Sequence, residues 1–159
     1  MNKNSILVVD DDKDFRNLIA DYLEEEGFNT LQAENGAIAL KHIEREIPDL
    51  ILLDIQMPLV NGLDVCRILK AKPSTSAIPV IIVSGSNALS DMLTSYITGV
   101  IRFLAKPFEL GELGECVRKV LHLRDNMMRQ IDDMFSQRFP QGSRITPFIP
   151  GNSRFSSYE

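Results

Sequence analysis

Five short apolar runs recur along the chain, separated by segments whose apolar residues return every three or four positions, and this alternation constrains the fold most. The runs are Ile6–Val9, Phe28–Ala33 (the weakest), Leu50–Leu53, Pro79–Val83 and Ile101–Ala105. Short and rich in Val, Ile and Leu, they suit strands. The runs at Leu50 and Val80 are continuous rather than alternating, as in strands covered on both faces of a parallel sheet.

The segments between them suit helices. In the first, Phe15, Leu18, Ile19, Tyr22 and Leu23 form one stripe; Asp12 can cap its start and Gly27 stops it. The second spans about Gly36 to Glu46, with Ala37, Leu40 and Ile47 inward, and ends at Pro48. The third runs from about Gly62 to Ala71 and ends before Pro73; the fourth, about Ala88 to Thr98, is less clearly patterned and stops at Gly99. The fifth starts near Glu109, with Leu110, Leu113, Val117, Val120 and Leu121 on one face. Alternating strands and helices predict an α/β fold with a parallel sheet, and right-handed crossovers place helices on both faces.

The pattern divides the chain into a domain over residues 1–124 and an extension over 125–159. Asn126–Phe139 can prolong the fifth helix, with Met127, Ile131, Met134 and Phe135 on one stripe. From Pro140 onward, prolines, glycines and serines without periodicity read as a tail or linker. The net charge of −5 and the absence of a Lys/Arg-rich block disfavour direct binding to nucleic acid or to an anionic membrane. The run Ile6–Val9 is too short for a signal peptide or a membrane span, which predicts a cytoplasmic protein. Cys66 and Cys116 lack a Cys or His partner at ligand spacing and read as free thiols. His42 and His122, each on a helical segment, read as structural residues.

The acids carry the functional signal. Asp10 and Asp11 follow the first run directly, and Asp54 follows the third. In a parallel sheet both runs end at the same edge, where open α/β sheets bind ligands. The fourth run ends at Ser84 and the fifth leads into Lys106, so these join the same edge. Singly, an acid after a strand is usually a helix cap, and a Ser or Lys-Pro a turn. Their coincidence after four runs points instead to one site. Three clustered carboxylates repel, by about 4 kcal/mol per pair at ~4 Å and an effective dielectric near 20. A hard divalent ion, Mg2+ foremost, relieves that repulsion, and Lys106 adds one more positive charge. Asp54, ionised at neutral pH, can then act as a nucleophile without a general base. The metal and Lys106 would neutralise a transferring phosphoryl group, and the Ser84 hydroxyl could donate to it.

Taken together, ILVVDDD at Ile6–Asp12, DLILLDIQMPLVNG at Asp49–Gly62, PVIIVSG at Pro79–Gly85 and FLAKPF at Phe103–Phe108 resemble the receiver domain of two-component response regulators. The resemblance covers about residues 4–124, with the motifs in order and at the usual spacings. It implies a doubly wound, flavodoxin-like fold of five parallel strands in the order 2-1-3-4-5. Asp54 looks like the phosphoacceptor, and Asp10 and Asp11 like the metal-binding pair, with the Gln56 backbone carbonyl as a further ligand to Mg2+ or Mn2+. Ser84 and Phe103 match the two switch positions, and Gly85 a neighbour that must be small. Lys106 matches the lysine that bonds the phosphoryl group, ahead of a Lys106–Pro107 bond that is typically cis; Gln56 and Ser86 match positions that tune phosphorylation lifetime.

The family reading implies a regulatory phosphoacceptor rather than an enzyme with a turnover substrate. Its donor would be a sensor histidine kinase or a phosphotransfer protein. Its output would be a homodimer or an effector engaged through the face of the fourth helix, fifth strand and fifth helix. Two departures concern that surface: Gly99–Arg102 makes it more apolar and basic than usual, and Asn61 stands where Asp is common. A phosphorylation-independent scaffold of the same fold is one alternative. An aspartate-nucleophile phosphatase of the haloacid dehalogenase type is another, since Asp10-x-Asp12 follows an apolar run, but Asp14 stands where that signature wants Thr or Val. The stretch after Arg124 is too short for a winged-helix DNA-binding domain, which leaves a stand-alone receiver with a tail or a piece of a longer protein.

Overall fold

In the computed structural model, which describes residues 3–85 and 100–138, each apolar run becomes a strand. These are β1 (Ser5–Val9), β2 (Asn29–Ala33), β3 (Leu50–Leu53), β4 (Val80–Ser84) and β5 (Val100–Ala105). They form one sheet in the order β2-β1-β3-β4-β5, and every neighbouring pair is parallel, as the family resemblance implies. The described helices are α1 (Lys13–Glu25), α2 (Gly36–Arg45), α3 (Gly62–Ala71) and α4 (Leu110–Arg138). The predicted helix at 88–98, Ser86, and residues 139–159 lie outside the described residues.

Side-chain alternation along the strands makes two cores. Leu7, Val9, Ile51, Leu53, Val80 and Ile82 face Ala39 and Ile43 of α2 and Val65, Cys66 and Leu69 of α3. Ile6, Val8, Leu50, Leu52, Ile81 and Val83 face Ile19 and Leu23 of α1 and Leu113, Val117, Val120 and Leu121 of α4. Full burial of each such side chain contributes roughly 2 kcal/mol. The continuous runs at β3 and β4 are therefore covered on both faces, whereas β2, the weakest run, is an edge strand with only Ala33 buried.

Local signals set the helix ends. The Asp12 carboxylate accepts from the Asp14 and Phe15 N–H groups at 3.0 and 3.1 Å, and Gly27 takes φ +93 just past α1, where glycine alone is unstrained. Asn35 and Asn61 cap α2 and α3 by accepting from Ile38 and Asp64. One expected residue is corrected: Ala37 is exposed, whereas Leu40 and Ile47 are half-buried against the core and the fully buried residues of α2 are Gly36, Ala39 and Ile43. The reason is Gly36, which packs so tightly on Val60 and Val65 that a Cβ there would lie 2.7 Å from Val65. That contact turns Ala37 outward.

α4 continues unbroken for 29 residues. Its buried residues end at Leu121, and Arg124 anchors it to the sheet edge that starts β1 and β3. The Arg124 guanidinium donates to the Asp49 carboxylate at 2.7 Å and to the Asp49 carbonyl at 3.0 Å, while Asp49 accepts from the Ser5 N–H at 2.8 Å. Beyond that anchor Met127 and Met134 are 63% and 55% exposed. Both thiols are free; burial pushes that of Cys66 up to about 11, so it stays protonated and inert.

Candidate functional site

β1 and β3 end side by side, and each ends in an acid. The Asp54 N–H donates to the Val9 carbonyl at 2.9 Å, which fixes Asp54 beside Asp10. Carboxylate oxygens of Asp10, Asp11 and Asp54 all lie within 4.8 Å of one another. Asp10 and Asp54 are buried and Asp11 is exposed. β4 and β5 bring the rest: the Lys106 N–H donates to the Ser84 carbonyl at 2.9 Å, and Ser84 is fully buried at the strand end. The Lys106–Pro107 bond is cis. From there the Lys106 ammonium reaches 2.7 Å from Asp10 and 3.8 Å from Asp54.

One lysine against three carboxylates leaves the cluster net negative. Burial raises the Asp54 pKa above the ordinary aspartate value. Lys106 and the Gln56 N–H, which donates to Asp54 Oδ1 at 3.1 Å, pull it back, while Asp10 and Asp11 push it further up. An all-oxygen donor set with surplus negative charge at an open edge fits a hard divalent cation. The sign of the shift gives a prediction for the metal-free protein. A raised folded-state pKa means stability that is complete below the unfolded value and lost as pH rises through the folded value. Asp54→Asn should therefore raise the melting temperature at neutral pH in chelator, by on the order of 1 kcal/mol or about 3 °C. The gain should shrink as pH falls through the aspartate range and reverse with excess Mg2+. A melting curve lowered by the substitution at every pH would refute a repulsive cluster.

Two neighbours were not singled out from sequence as site residues. Phe15, expected only as part of the α1 core stripe, carries its ring 3.9 Å beneath the Lys106 ammonium and stacks edge-on against Phe108 at 6.0 Å. A cation over an aromatic face is held by the ring quadrupole. Arg16 is nearly buried; it donates to the Asp10 carbonyl at 2.7 Å and to the Gln32 side chain at 3.2 Å. Its place beside the apolar stripe of α1 was the sole signal in the sequence.

The other expected positions are spread around this centre. Gln56 is exposed, and Phe103 is half-buried against the core under α2 and α3. Among the described residues, none lies within 4 Å of a Cβ placed on Gly85. Asp12 is committed to capping α1, which removes the second acid that the phosphatase alternative requires.

Residues 6–118 match the family model of the response regulator receiver domain. The chain is 35% identical over 126 residues to the sporulation initiation phosphotransferase F of Bacillus subtilis, across 79% of this chain and 100% of that protein. It is 35% identical over 158 residues to a probable transcriptional regulatory protein of Picosynechococcus, across 91% of this chain and 61% of that one. The chain thus spans less than two thirds of several curated relatives that it matches. Among solved structures it is similar to the response regulator TrrA of Thermotoga maritima in complex with Mg2+-BeF. That match has 34% identity and a TM-score of 0.66, over 73% of this chain and 97% of the other.

Proposed function

Because the chain belongs to the response regulator receiver domain family, we propose that Asp54 is the phosphoacceptor of a two-component switch, loaded by a sensor histidine kinase or a phosphotransfer protein. The observation that carries this reading is the convergence of Asp10, Asp11 and Asp54 with Lys106 at one sheet edge. Asp54 and its partners come from separate strand ends, so a structural role for any one of them does not account for the cluster.

In the proposed chemistry an Asp54 carboxylate oxygen attacks the donor phosphorus. The new O–P bond forms as the bond to the donor's leaving group breaks, and the leaving group departs with that electron pair. Lys106, already 3.8 Å from Asp54, neutralises charge on the transferring group and then pairs with the product. Asp10 and Asp11 would hold Mg2+ or Mn2+, with Asp54 and the Gln56 carbonyl completing the protein ligands. The ion, when bound, supplies charge neutralisation and orients phosphoryl oxygens.

The acyl phosphate carries about −1.5 to −2 charge and new acceptor oxygens. The Ser84 hydroxyl and Lys106 move towards it, and Phe103 turns into the space that Ser84 leaves. These movements alter the face that contains β5 and α4, where a partner would read the state. Gln56 and Ser86 would set how long the phosphoryl group lasts. The TrrA relative, solved with Mg2+-BeF, supports the metal assignment. No described helix is long and apolar enough to cross a membrane, in keeping with a proposed cytoplasmic role.

Intact-mass spectrometry after incubation with a small acyl-phosphate donor tests the reading. Wild type should gain one phosphoryl group in a Mg2+-dependent manner, and Asp54→Ala should gain none. Labelling of the Asp54→Ala variant at the wild-type rate would move the acceptor elsewhere. Labelling without any change in structure or binding would favour the scaffold alternative.

A further inference from the structure

We propose that Phe15 is a positioning residue for Lys106, its ring face keeping the ammonium at Asp54 when a divalent ion engages the Asp10 carboxylate. The proposal rests on the reading of Asp54 as the phosphoacceptor. Three partners surround the Lys106 Nζ: Asp10 Oδ2 at 2.7 Å, Asp54 Oδ2 at 3.8 Å and the centroid of the Phe15 ring at 3.9 Å. The nearest of them, Asp10, is also a member of the acid cluster. A hard cation takes oxygen ligands, so an ion held by that cluster would compete with Lys106 for Asp10. The ring offers no oxygen, and its attraction for the ammonium sets up no such competition. Lys106 is 24% exposed and its long side chain is rich in rotamers. Without the ring, an ammonium displaced from Asp10 is free to swing into solvent, away from the acceptor.

The fold explains why a ring stands there. Position 15 belongs to the apolar stripe of α1, where any large apolar side chain could pack on the core. Only an aromatic one also presents a π face to a cation. The Asp12 cap accepts from the Phe15 N–H at 3.1 Å, which fixes the turn that carries the ring. Phe108 meets Phe15 edge to face, with centroids 6.0 Å apart and planes at 82°. Lys106 and Phe108 thus hold one ring from the same turn between β5 and α4. Both rings, with Asp10 and Asp54, wall a small cavity otherwise lined by apolar side chains such as Val8 and Leu53. Beside such a wall a cation–ring contact is stronger than in open water.

The test uses the 159-residue chain with Phe15 replaced by phenylalanines that carry one, two or three ring fluorines. Fluorine keeps the ring's shape and drains its π face. Phosphoryl gain from acetyl phosphate in saturating Mg2+, read by intact mass, should fall stepwise to about a fifth of the wild-type rate, as loss of one partly desolvated cation–ring contact predicts. Phe15→Leu should match the trifluoro chain. Melting temperature and Mg2+ affinity should not fall along the fluorine series, and the same series in a Lys106→Met background should be flat. NMR gives a readout independent of activity. The ring should shift the Lys106 ε-methylene protons upfield in chelator and in excess Mg2+ alike, and Phe15→Leu should abolish that shift. A flat fluorine series in a chain that labels overturns the proposal and leaves the reading of Asp54 standing. An upfield shift that vanishes with Mg2+ does the same. A slope that persists without the ammonium assigns the effect to packing and also overturns it. A wild type that gains no phosphoryl group at Asp54 removes both the reading and the proposal.

Discussion

Lys106→Met should slow phosphoryl gain from a small acyl-phosphate donor by about 100- to 1,000-fold, the usual effect of removing one preorganised charge from a transition state. The same substitution should tighten Mg2+ binding, by on the order of tenfold at the effective dielectric of a partly exposed site. The opposite signs follow from position. The ammonium lies 2.7 Å from Asp10 and 3.8 Å from Asp54, where it would compete with a divalent cation for the same carboxylates. In the proposed transfer it would neutralise charge that no other described side chain of the cluster can neutralise. Methionine is one atom shorter and uncharged but still packs on Phe15 through its thioether, so the aromatic shelf survives. Rates would be read by intact mass and affinity by titration calorimetry. A rate within about threefold of wild type would remove Lys106 from the chemistry. Weaker Mg2+ binding would mean that it orders the acids rather than competing with the ion.

The sheet and the cluster were legible in the sequence for one shared reason. A strand buried on both faces has to be a continuous apolar run, so β3 and β4 announced their own limits, and the acids after β1 and β3 fell at one edge once the strands were taken as parallel. Strand order was not legible from the runs, because nothing within Leu50–Leu53 states which neighbours it pairs with; it came with the family motifs. Ala37 misled because alanine suits either face of a helix, and the deciding contact, Gly36 on Val60 and Val65, is tertiary. Phe15 and Arg16 escaped notice as site residues because their partners, Lys106 and the Asp10 carbonyl, are set by the crossing of α1 over strand ends. The anchor of Arg124 on Asp49 is likewise a contact between residues 75 positions apart. Periodicity shows that a helix continues there, but not where it leaves the domain.

Gly62→Ala should destabilise the domain by about 3 kcal/mol or more, near the upper end for an added methyl group, and lower the melting temperature by about 10 °C. A Cβ at Gly62 would lie 2.3 Å from the Asp54 carbonyl oxygen and 2.8 Å from the Ile55 Cα. Both obstacles are backbone, and the Gly62 N–H is tied to the Ile55 carbonyl at 3.1 Å, so neither side can rotate away. The loop from β3 to α3 has to open, and it opens at Asp54, the proposed acceptor. Even in the cold, where the variant is folded, phosphoryl gain and Mg2+ affinity should both fall. Two other glycines separate this from a general glycine effect. At Gly36 the obstacles are the Val60 carbonyl at 2.8 Å and the Val60 and Val65 side chains rather than the backbone of Asp54 and Ile55, so alanine should also lower stability but should lower phosphoryl gain less once folded. At Gly111, in the first turn of α4, a Cβ meets no described atom within 4 Å, so alanine should stabilise by about 0.5–1 kcal/mol through helix propensity and a less free unfolded chain. If Gly62→Ala and Gly36→Ala shift melting and phosphorylation alike, the close packing of α3 beneath Asp54 does not position the acceptor.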